Sequence, residues 1–188
     1  LGLIDLSLTV AYESKVNYGD IFSQVRVWDT LIANHLLKKN ICVPPREDHI
    51  KETKYEGAYV KEPQLGQHKW VVSFDINSLY PHIIIQYNIS PEKILGVKSS
   101  GVSVAKMLSN KTPLAHLKTE GACITPNGAM FRNDSQGFLP EMMETMYNER
   151  VVYKKRMLKA KQQYQKTKSP ELVKEISRCH NIQWARKI

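Results

Sequence analysis

Residues 73–81 read SFDINSLYP, and they contain the most informative pattern of the chain. The apolar run WVVSF at residues 70–74 predicts a short strand that ends at Asp75. After a turn, Pro81 predicts an apolar helix to about Tyr87, because proline is accepted in a first turn, whose amides lack helical partners. The sequence therefore predicts that a strand end, one carboxylate and a helix start lie together.

This arrangement suits a metal ion bound to a triphosphate. The amides of Ser78, Leu79 and Tyr80 would point outward beside the carboxylate. Amides at a helix start bind phosphate, and a carboxylate binds Mg²⁺. The alternative is purely structural: Asp75 caps the helix and Tyr80 belongs to the core. A strand, a carboxylate, a turn and a helix leave both interpretations open.

The charge of the chain favours a polyanionic partner. The 188 residues include 27 Lys and Arg against 18 Asp and Glu, which gives a formal net charge of +9. Nucleic acid is the first candidate partner and an acidic membrane surface the second, while the alternative is a solvated basic surface. Hydrophobic residues make up 42% of the chain, which indicates a globular protein rather than a disordered one.

No segment of the sequence indicates export or a membrane span. No apolar run approaches the ~20 residues that a spanning helix needs. Residues 1–12 lack the basic start and the small-residue cleavage site of a signal peptide. Cys42, Cys123 and Cys179 fit neither a disulfide framework nor a zinc site, which indicates a reducing compartment. The chain begins without Met and stops within a helical pattern, so we expect an excerpt of a longer protein.

Periodicity and turn residues predict further elements. Residues 1 to about 40 are predicted to be largely helical, with apolar positions near helical spacing at Val25, Trp28, Leu31, Ile32 and Leu36. Pro126-Asn127-Gly128 predicts a turn between two hairpin arms, at residues 122–125 and 129–132.

From Leu139 onward, two basic helical segments predict an antiparallel hairpin. The second helix is predicted to start at Ser169-Pro170, with Ser as the N-cap and Pro in the first position. Arg150 and Lys187 lie equally far from this bend, roughly 27 Å at ~1.5 Å per residue, so they are expected at the same height near the hairpin base. Lys154 lies one turn closer to the tip on the face of Arg150. This predicts a cationic cluster for a triphosphate, and a solvated, charge-rich hairpin is the alternative.

Two of these segments resemble family B DNA polymerases. Asp-x-x-Ser-Leu-Tyr-Pro at residues 75–81 resembles the first carboxylate motif of that family, although His82 stands where a small residue is common. Asn148-Glu149-Arg150 followed by Lys154 resembles the segment called the fingers.

Shorter strings resemble the same family. Asn127-Gly128 followed by Gly-Phe-Leu-Pro at residues 137–140 resembles the approach to the fingers. Arg-Lys-Ile at residues 186–188 resembles the start of Lys-x-x-x-Asn-Ser-x-Tyr-Gly. Residues 55–60 (YEGAYV) resemble the Tyr-x-Gly-Gly/Ala segment that links the exonuclease and palm domains. The resemblance extends over about residues 1–188 and is least diagnostic over residues 93–120. From Trp28 to Glu92 it is strongest to the replicative polymerases of T-even-like phages.

The resemblance implies roles for individual residues. Asp75 is implied to ligate the catalytic metals, and the Ile76 carbonyl to complete the nucleotide-side site. The Ser78 and Leu79 region is implied to contact the triphosphate. Tyr80 is implied to stack under the sugar, where its ring leaves no room for a 2′-hydroxyl. The implied nucleotide-binding residues of the fingers are Arg150, Lys154 and Lys187, and the implied DNA-binding residues are Tyr55, Gly57 and Ala58.

The implied fold is α+β, a partial palm with a small antiparallel sheet plus a long antiparallel helical hairpin, the fingers. Residues 1–54 are expected to form the tail of the exonuclease domain and a linker. Residues 55–138 are expected to form part of the palm, with the first carboxylate motif, and residues 139–188 the fingers.

The implied function is that of a fragment of a DNA-directed DNA polymerase, which adds deoxynucleotides to a primer 3′ end by two-metal phosphoryl transfer. The resemblance implies Mg²⁺ as cofactor, deoxynucleoside triphosphate as substrate, primer-template DNA as partner, no membrane partner, and the host cytoplasm as location. Two-metal transfer needs at least two carboxylates around ions ~3.5–4 Å apart. The second carboxylate of the family lies in an Asp-Thr-Asp-Ser type string that does not occur here, so the isolated chain is expected to be inactive.

Other interpretations stay open at this point. The chain could derive from an incomplete gene, or it could be one subunit of a split enzyme that assembles with a second polymerase chain. A non-catalytic basic nucleic-acid-binding module would use the basic hairpin without a metal. A structural protein with incidental motifs would have no DNA affinity beyond that of any protein with a net charge of +9.

Overall fold

A computed structural model describes residues 2–45, 60–97, 106, 109 and 121–187 of the chain. Its α-helices are α1 (Leu3–Ser14), α2 (Gln24–Lys38), α3 (Leu79–Gln86), α4 (Phe138–Thr167) and α5 (Pro170–Ala185), and its strands are β1 (Ile94–Val97), β2 (Ala122–Ile124) and β3 (Ala129–Arg132). Short 3₁₀ helices cover Tyr18–Phe22 and Pro91–Lys93. The predicted α+β class, with a small antiparallel sheet and a helical hairpin, is confirmed. Among the described residues, no helix combines the length and apolar composition that a membrane crossing requires.

The chain divides into two compact units. One unit contains Leu1–Pro45 and Met142–Ile188, and the other contains Arg46–Glu141. Helix α4 begins in the second unit and continues into the first.

The first unit is helical, as the sequence predicts for residues 1–40 and for the hairpin that follows Leu139. Helix α1 packs against α5 and α2. Val27 and Leu36 of α2 are buried, whereas Val25 is exposed, so the packed face of α2 is centred on Val27 rather than on Val25. The buried apolar residues of this unit are Val27, Leu36, Met142, Met143, Met157, Ala160, Cys179, Ile182 and Ala185.

Helices α4 and α5 form the predicted antiparallel hairpin. Ser169 has an extended backbone as the N-cap of α5, and Pro170 occupies the first helical position, where its missing amide hydrogen costs nothing. An ion pair between Arg156 and Glu175 joins the middle of the two helices, and one between Glu149 and Arg186 joins their base. Residues 149 and 186 therefore lie at the same height, which confirms the predicted alignment of the hairpin.

The sheet of the second unit is antiparallel, with the strand order β1-β3-β2. The predicted turn at Pro126-Asn127-Gly128 is confirmed, since it joins β2 to β3. Gly128 has φ 89°, a left-handed conformation that glycine adopts without steric cost. The Thr125 amide donates to the Ala129 carbonyl at 2.9 Å, and the Thr125 hydroxyl donates to Asn127 Oδ1 at 2.6 Å, so the side chains of the turn also fix its shape.

The predicted strand over residues 70–74 is wrong. This segment is irregular, and Trp70 and Phe74 are 97% and 90% exposed. A strand is stable only when its backbone groups pair with a neighbour and one face is covered. In the described part of the chain, the three strands pair with one another and not with this segment. The β propensity of the apolar run is therefore not enough to form a strand.

Helix α3 starts two residues before the predicted position and ends as predicted. Leu79 is its first residue, Pro81 lies within its first turn, and Gln86 is its last residue. Two residues with left-handed backbone flank it, Ser78 and Asn88, each with φ 53°. The side chain of Asn88 is buried, and three hydrogen bonds hold it.

Asn88 joins the end of α3 to the segment between β3 and α4. Its amide Nδ2 donates to the carbonyls of Arg132 and Ser135 at 2.7 and 2.9 Å. Its Oδ1 accepts from the Gly137 amide at 2.8 Å. Lys93 reinforces the same segment, since its Nζ donates to Asp134 Oδ1 at 2.9 Å. This hydrogen bond lowers the pKa of Asp134 below its ordinary value.

Ser90 and Glu92 hold the first turn of α4. The Phe138 amide donates to Glu92 Oε1 at 2.8 Å, and the Leu139 amide donates to Ser90 Oγ at 3.4 Å. The Ser90 hydroxyl donates to Glu92 Oε2 at 2.5 Å. Because first-turn amides lack helical partners and form the positive end of the helix dipole, a carboxylate here stabilises the helix.

Gly137 permits the close approach of Ser90 to the start of α4, so we expect Gly137→Ala to destabilise the protein. A Cβ at this position would lie 2.6 Å from Ser90 Cβ, and Ser90 is only 1% exposed and has no room to move. We expect the free energy of unfolding to fall by about 1–3 kcal/mol, measured by urea denaturation. Gly19→Ala is the matched control, because nothing lies within 4 Å of its added Cβ. Equal effects of the two substitutions would contradict the close approach.

The two left-handed residues beside α3 are expected to respond differently to glycine. Asn88→Gly removes three hydrogen bonds of a buried side chain, so we expect a loss of about 2–3 kcal/mol in the free energy of unfolding. Ser78→Gly has the same backbone change at φ 53°, and it should stay within about 1 kcal/mol of the parent protein. Urea denaturation of both variants measures the difference. A larger loss for Ser78→Gly than for Asn88→Gly would contradict the assignment of Asn88 as the stabilising residue.

Candidate functional site

The predicted metal and triphosphate residues lie on one exposed turn in the second unit. Asp75 and Ile76 belong to the irregular segment before α3, and both are exposed. Ser78 is the residue before the helix, and Leu79 and Tyr80 are its first two residues. The predicted residues of this turn are therefore consecutive or nearly so, at the amino-terminal end of α3.

The structure does not match the purely structural alternative for this turn, in which Asp75 caps the helix and Tyr80 belongs to the core. Ser78, and not Asp75, is the N-cap residue of α3. Tyr80 is 72% exposed, so its ring is not a core residue of the unit. The carbonyl of Ser78 accepts from the His82 amide at 3.2 Å and contacts the His82 ring Nδ1 at 2.9 Å. His82, the departure from the family pattern, therefore supports the helix start from within.

A complete metal site is not formed by the described residues alone. Within residues 2–45, 60–97, 106, 109 and 121–187, no group of three or more His, Cys, Asp or Glu side chains could hold a metal ion. Asp75 carries one exposed carboxylate, and Ile76 is the next residue of the chain. Mg²⁺ is commonly bound by one or two carboxylates together with substrate phosphates and water. The turn thus fits part of a magnesium site that other ligands must complete.

The predicted cationic residues lie in the first unit, at the base of the helical hairpin. Arg150 and Lys154 belong to α4, where Arg150 is half-buried and Lys154 is exposed. Lys187 follows α5, and its Nζ lies 4.7 Å from the centroid of the Trp184 ring. Because Glu149 and Arg186 are in contact, the backbones of the next residues, Arg150 and Lys187, lie at a similar height along the hairpin.

Arg186 is a residue of this region whose contacts the sequence did not reveal. Its Nε donates to Glu149 Oε2 at 2.6 Å, and its Nη2 lies 2.7 Å from Glu13 Oε2. Burial of the guanidinium would lower its pKa, but the charges of Glu13 and Glu149 outweigh burial and raise the pKa above its ordinary value. The group is therefore a permanent cation that joins α1, α4 and α5.

A shallow cavity of about 530 Å³ lies beside this ion pair on the hairpin. It is lined by Thr145, Asn148, Glu149, Val152, Tyr153, Arg156 and Arg186. Both of its arginines are paired with carboxylates, Arg156 with Glu175 and Arg186 with Glu149. The cavity is therefore close to neutral, and it offers no cation that an anionic ligand could take without breaking an ion pair.

The predicted DNA-binding residues Tyr55, Gly57 and Ala58 lie outside the described residues. Sequence reasoning also missed Asn88, Ser90 and Glu92, which hold the segment before α4. Their signal was weak, because an Asn, a Ser and a Glu after a helix are equally typical of an ordinary solvated turn.

Comparisons with known proteins identify the family. The family model of DNA polymerase family B matches residues 18–170. The chain is 36% identical over 179 residues to a DNA-directed DNA polymerase of Escherichia phage RB69, covering 95% of this chain and 19% of that protein. It is 33% identical over 156 residues to that of Enterobacteria phage T4, covering 83% of this chain and 17% of that protein.

A solved structure has the same fold. The family B DNA polymerase of the hyperthermophilic archaeon Pyrobaculum calidifontis matches with a TM-score of 0.60 at 24% identity, over 98% of this chain and 22% of that one. The chain therefore spans about a fifth of the length of these relatives. The resemblance to family B polymerases of T-even-like phages is confirmed. The chain belongs to DNA polymerase family B.

Proposed function

We propose that this chain is part of a DNA-directed DNA polymerase that extends a primer 3′ end with deoxynucleotides by two-metal phosphoryl transfer. One observation carries the proposal: the residues that match the first carboxylate motif of family B lie together on one exposed turn at the start of α3. Its partners are then primer-template DNA and deoxynucleoside triphosphate, in the cytoplasm of a host cell.

The metal role is assigned to Asp75 and the Ile76 carbonyl. Both lie on the exposed turn, where substrate phosphates and water have access. Bound Mg²⁺ supplies charge neutralisation at the transferred phosphoryl group and at the attacking oxygen. A second carboxylate is needed for two ions, and this sequence has no Asp-Thr-Asp-Ser string to provide it. A second segment or a second polymerase chain must therefore complete the site.

Nucleotide-binding roles are assigned to the six residues that the family resemblance implies, Ser78, Leu79, Tyr80, Arg150, Lys154 and Lys187. The first-turn amides at Ser78 and Leu79 suit phosphate oxygens, because they form the positive end of α3. The exposed Tyr80 ring can lie against the sugar and exclude a 2′-hydroxyl. Arg150, Lys154 and Lys187 bind the triphosphate from the fingers hairpin, and charge-assisted hydrogen bonds are the strong ones for phosphate.

The same proposal assigns the remaining segments. Residues 1–54 belong to the tail of the exonuclease domain and a linker, residues 55–138 to the palm and residues 139–188 to the fingers. Tyr55, Gly57 and Ala58 contact the template strand, where the absence of a side chain at Gly57 permits close approach of a phosphate.

We expect the isolated 188-residue chain to give no primer extension, because it supplies one carboxylate of the catalytic set. A primer-extension assay with Mg²⁺ and all four deoxynucleotides measures this. Addition of a partner chain that carries the second carboxylate should restore extension if the enzyme is split. Mg²⁺-dependent product from the isolated chain that disappears in Asp75→Asn would contradict the prediction.

We expect the chain to bind deoxynucleoside triphosphate through its hairpin. Arg150→Ala and Lys187→Ala should each weaken binding of deoxyadenosine triphosphate with Mg²⁺ roughly tenfold, measured by titration calorimetry. Lys174→Ala is the matched control, since it removes the same charge from an exposed position of α5. Equal effects of all three substitutions would indicate general attraction to a basic surface rather than a site.

The alternative is a non-catalytic basic module that binds nucleic acid, which the formal net charge of +9 favours. In that case DNA binding should fall with salt and ignore both Mg²⁺ and deoxynucleotide. A DNA titration at several salt concentrations, with and without Mg²⁺ and deoxynucleotide, separates the two functions.

A further inference from the structure

The guanidinium of Arg186 is shared between two carboxylates from two other helices. Its Nε contacts Glu149 of α4 at 2.6 Å, and its Nη2 contacts Glu13 of α1 at 2.7 Å. The Arg186 side chain is only 17% exposed. Three helices of the first unit therefore meet at one charged group at the base of the hairpin.

This contact needs an arginine. The two nitrogens face different carboxylates, and only the planar fork of a guanidinium holds two such partners in fixed directions at once. A lysine would carry the same charge on a single rotatable nitrogen. Arg156 also joins α4 to α5, but in the described part of the chain its ion pair is with one carboxylate, Glu175, and its side chain is 58% exposed.

We propose that Arg186 is a positioning residue of the triphosphate site: its contacts with Glu13 and Glu149 fix the height of the end of α5 against α4 and so hold Arg150 and Lys187 level. This inference rests on the proposed nucleotide role of those two cations. We call the contacts of Arg186 with Glu13 and Glu149 the clamp. Glu149 precedes Arg150 and Arg186 precedes Lys187, so the clamp contains the residue before each of the two cations. A slip of α5 by one helical turn would displace Lys187 by about 5.4 Å, which is more than a hydrogen bond tolerates.

The sign of the charge effect distinguishes positioning from simple attraction. Glu149→Gln and Glu13→Gln each remove a negative charge near the cationic cluster. General electrostatics then predicts tighter triphosphate binding, whereas loss of the clamp predicts weaker binding. Glu175→Gln makes the same charge change at the partner of Arg156, away from the hairpin base.

The experiment measures binding of deoxyadenosine triphosphate with Mg²⁺ to the full 188-residue chain and its variants by titration calorimetry. We expect Arg186→Gln, Arg186→Lys and Glu149→Gln each to weaken binding roughly tenfold. Glu13→Gln should weaken binding in the same direction. Arg156→Gln and Glu175→Gln should change it by less than about threefold. Tighter binding by Glu149→Gln, or full rescue by Arg186→Lys, would overturn the proposal, because charge alone would then suffice.

Amide hydrogen exchange of the same variants tests the clamp without nucleotide. Exchange of the last turn of α5 and of α4 near Glu149 should become faster in Arg186→Gln and not in Arg156→Gln. Unchanged exchange in Arg186→Gln would overturn the clamp itself. If the parent chain binds no triphosphate while exchange responds as expected, the proposed nucleotide role of the hairpin fails, and the positioning role fails with it. The clamp would then be structural only.

Discussion

The buried side chain of Asn88 is the constraint on which the second unit depends. It binds the carbonyl of Arg132 at the end of β3, and the Ser135 carbonyl and Gly137 amide of the segment between β3 and α4. Asn88 can do this because its left-handed backbone turns the chain sharply after α3, and asparagine tolerates that conformation better than most residues. The end of α3 is thereby tied to the segment that precedes α4.

In the first unit, the charged side chain of Arg186 joins separate elements in the way that the Asn88 amide does in the second unit. Arg186 loses water on burial, and two carboxylates from different helices compensate for that loss. Such a group specifies one arrangement of α1, α4 and α5, because a shifted helix would leave a buried charge unpaired. Apolar packing alone is more permissive, since side chains such as Met142, Met143 and Met157 adapt to small displacements.

Local signals predicted the elements that local interactions form. The Asn-Gly turn, the Ser-Pro start of α5 and the helical segment from Leu139 onward all depend on neighbours within a few residues, and all three are found. The strand predicted before Asp75 is not formed, because a strand depends on a partner that is distant in sequence. The pairing of Arg186 with Glu13 could not be predicted for the same reason, since 18 acidic and 27 basic residues allow many pairings that only the tertiary fold selects between.

The carboxylates of the chain divide by environment, and this division supports the functional assignment of Asp75. Glu92 is committed to the start of α4, Asp134 to Lys93, and Glu149 to Arg186. Each of them would have to break a structural contact before it could bind a metal ion. Asp75 instead is exposed and precedes the N-cap residue Ser78 of α3, in a segment that no strand pairing constrains among the described residues. The proposed metal role of Asp75 therefore breaks none of the contacts that hold Glu92, Asp134 and Glu149.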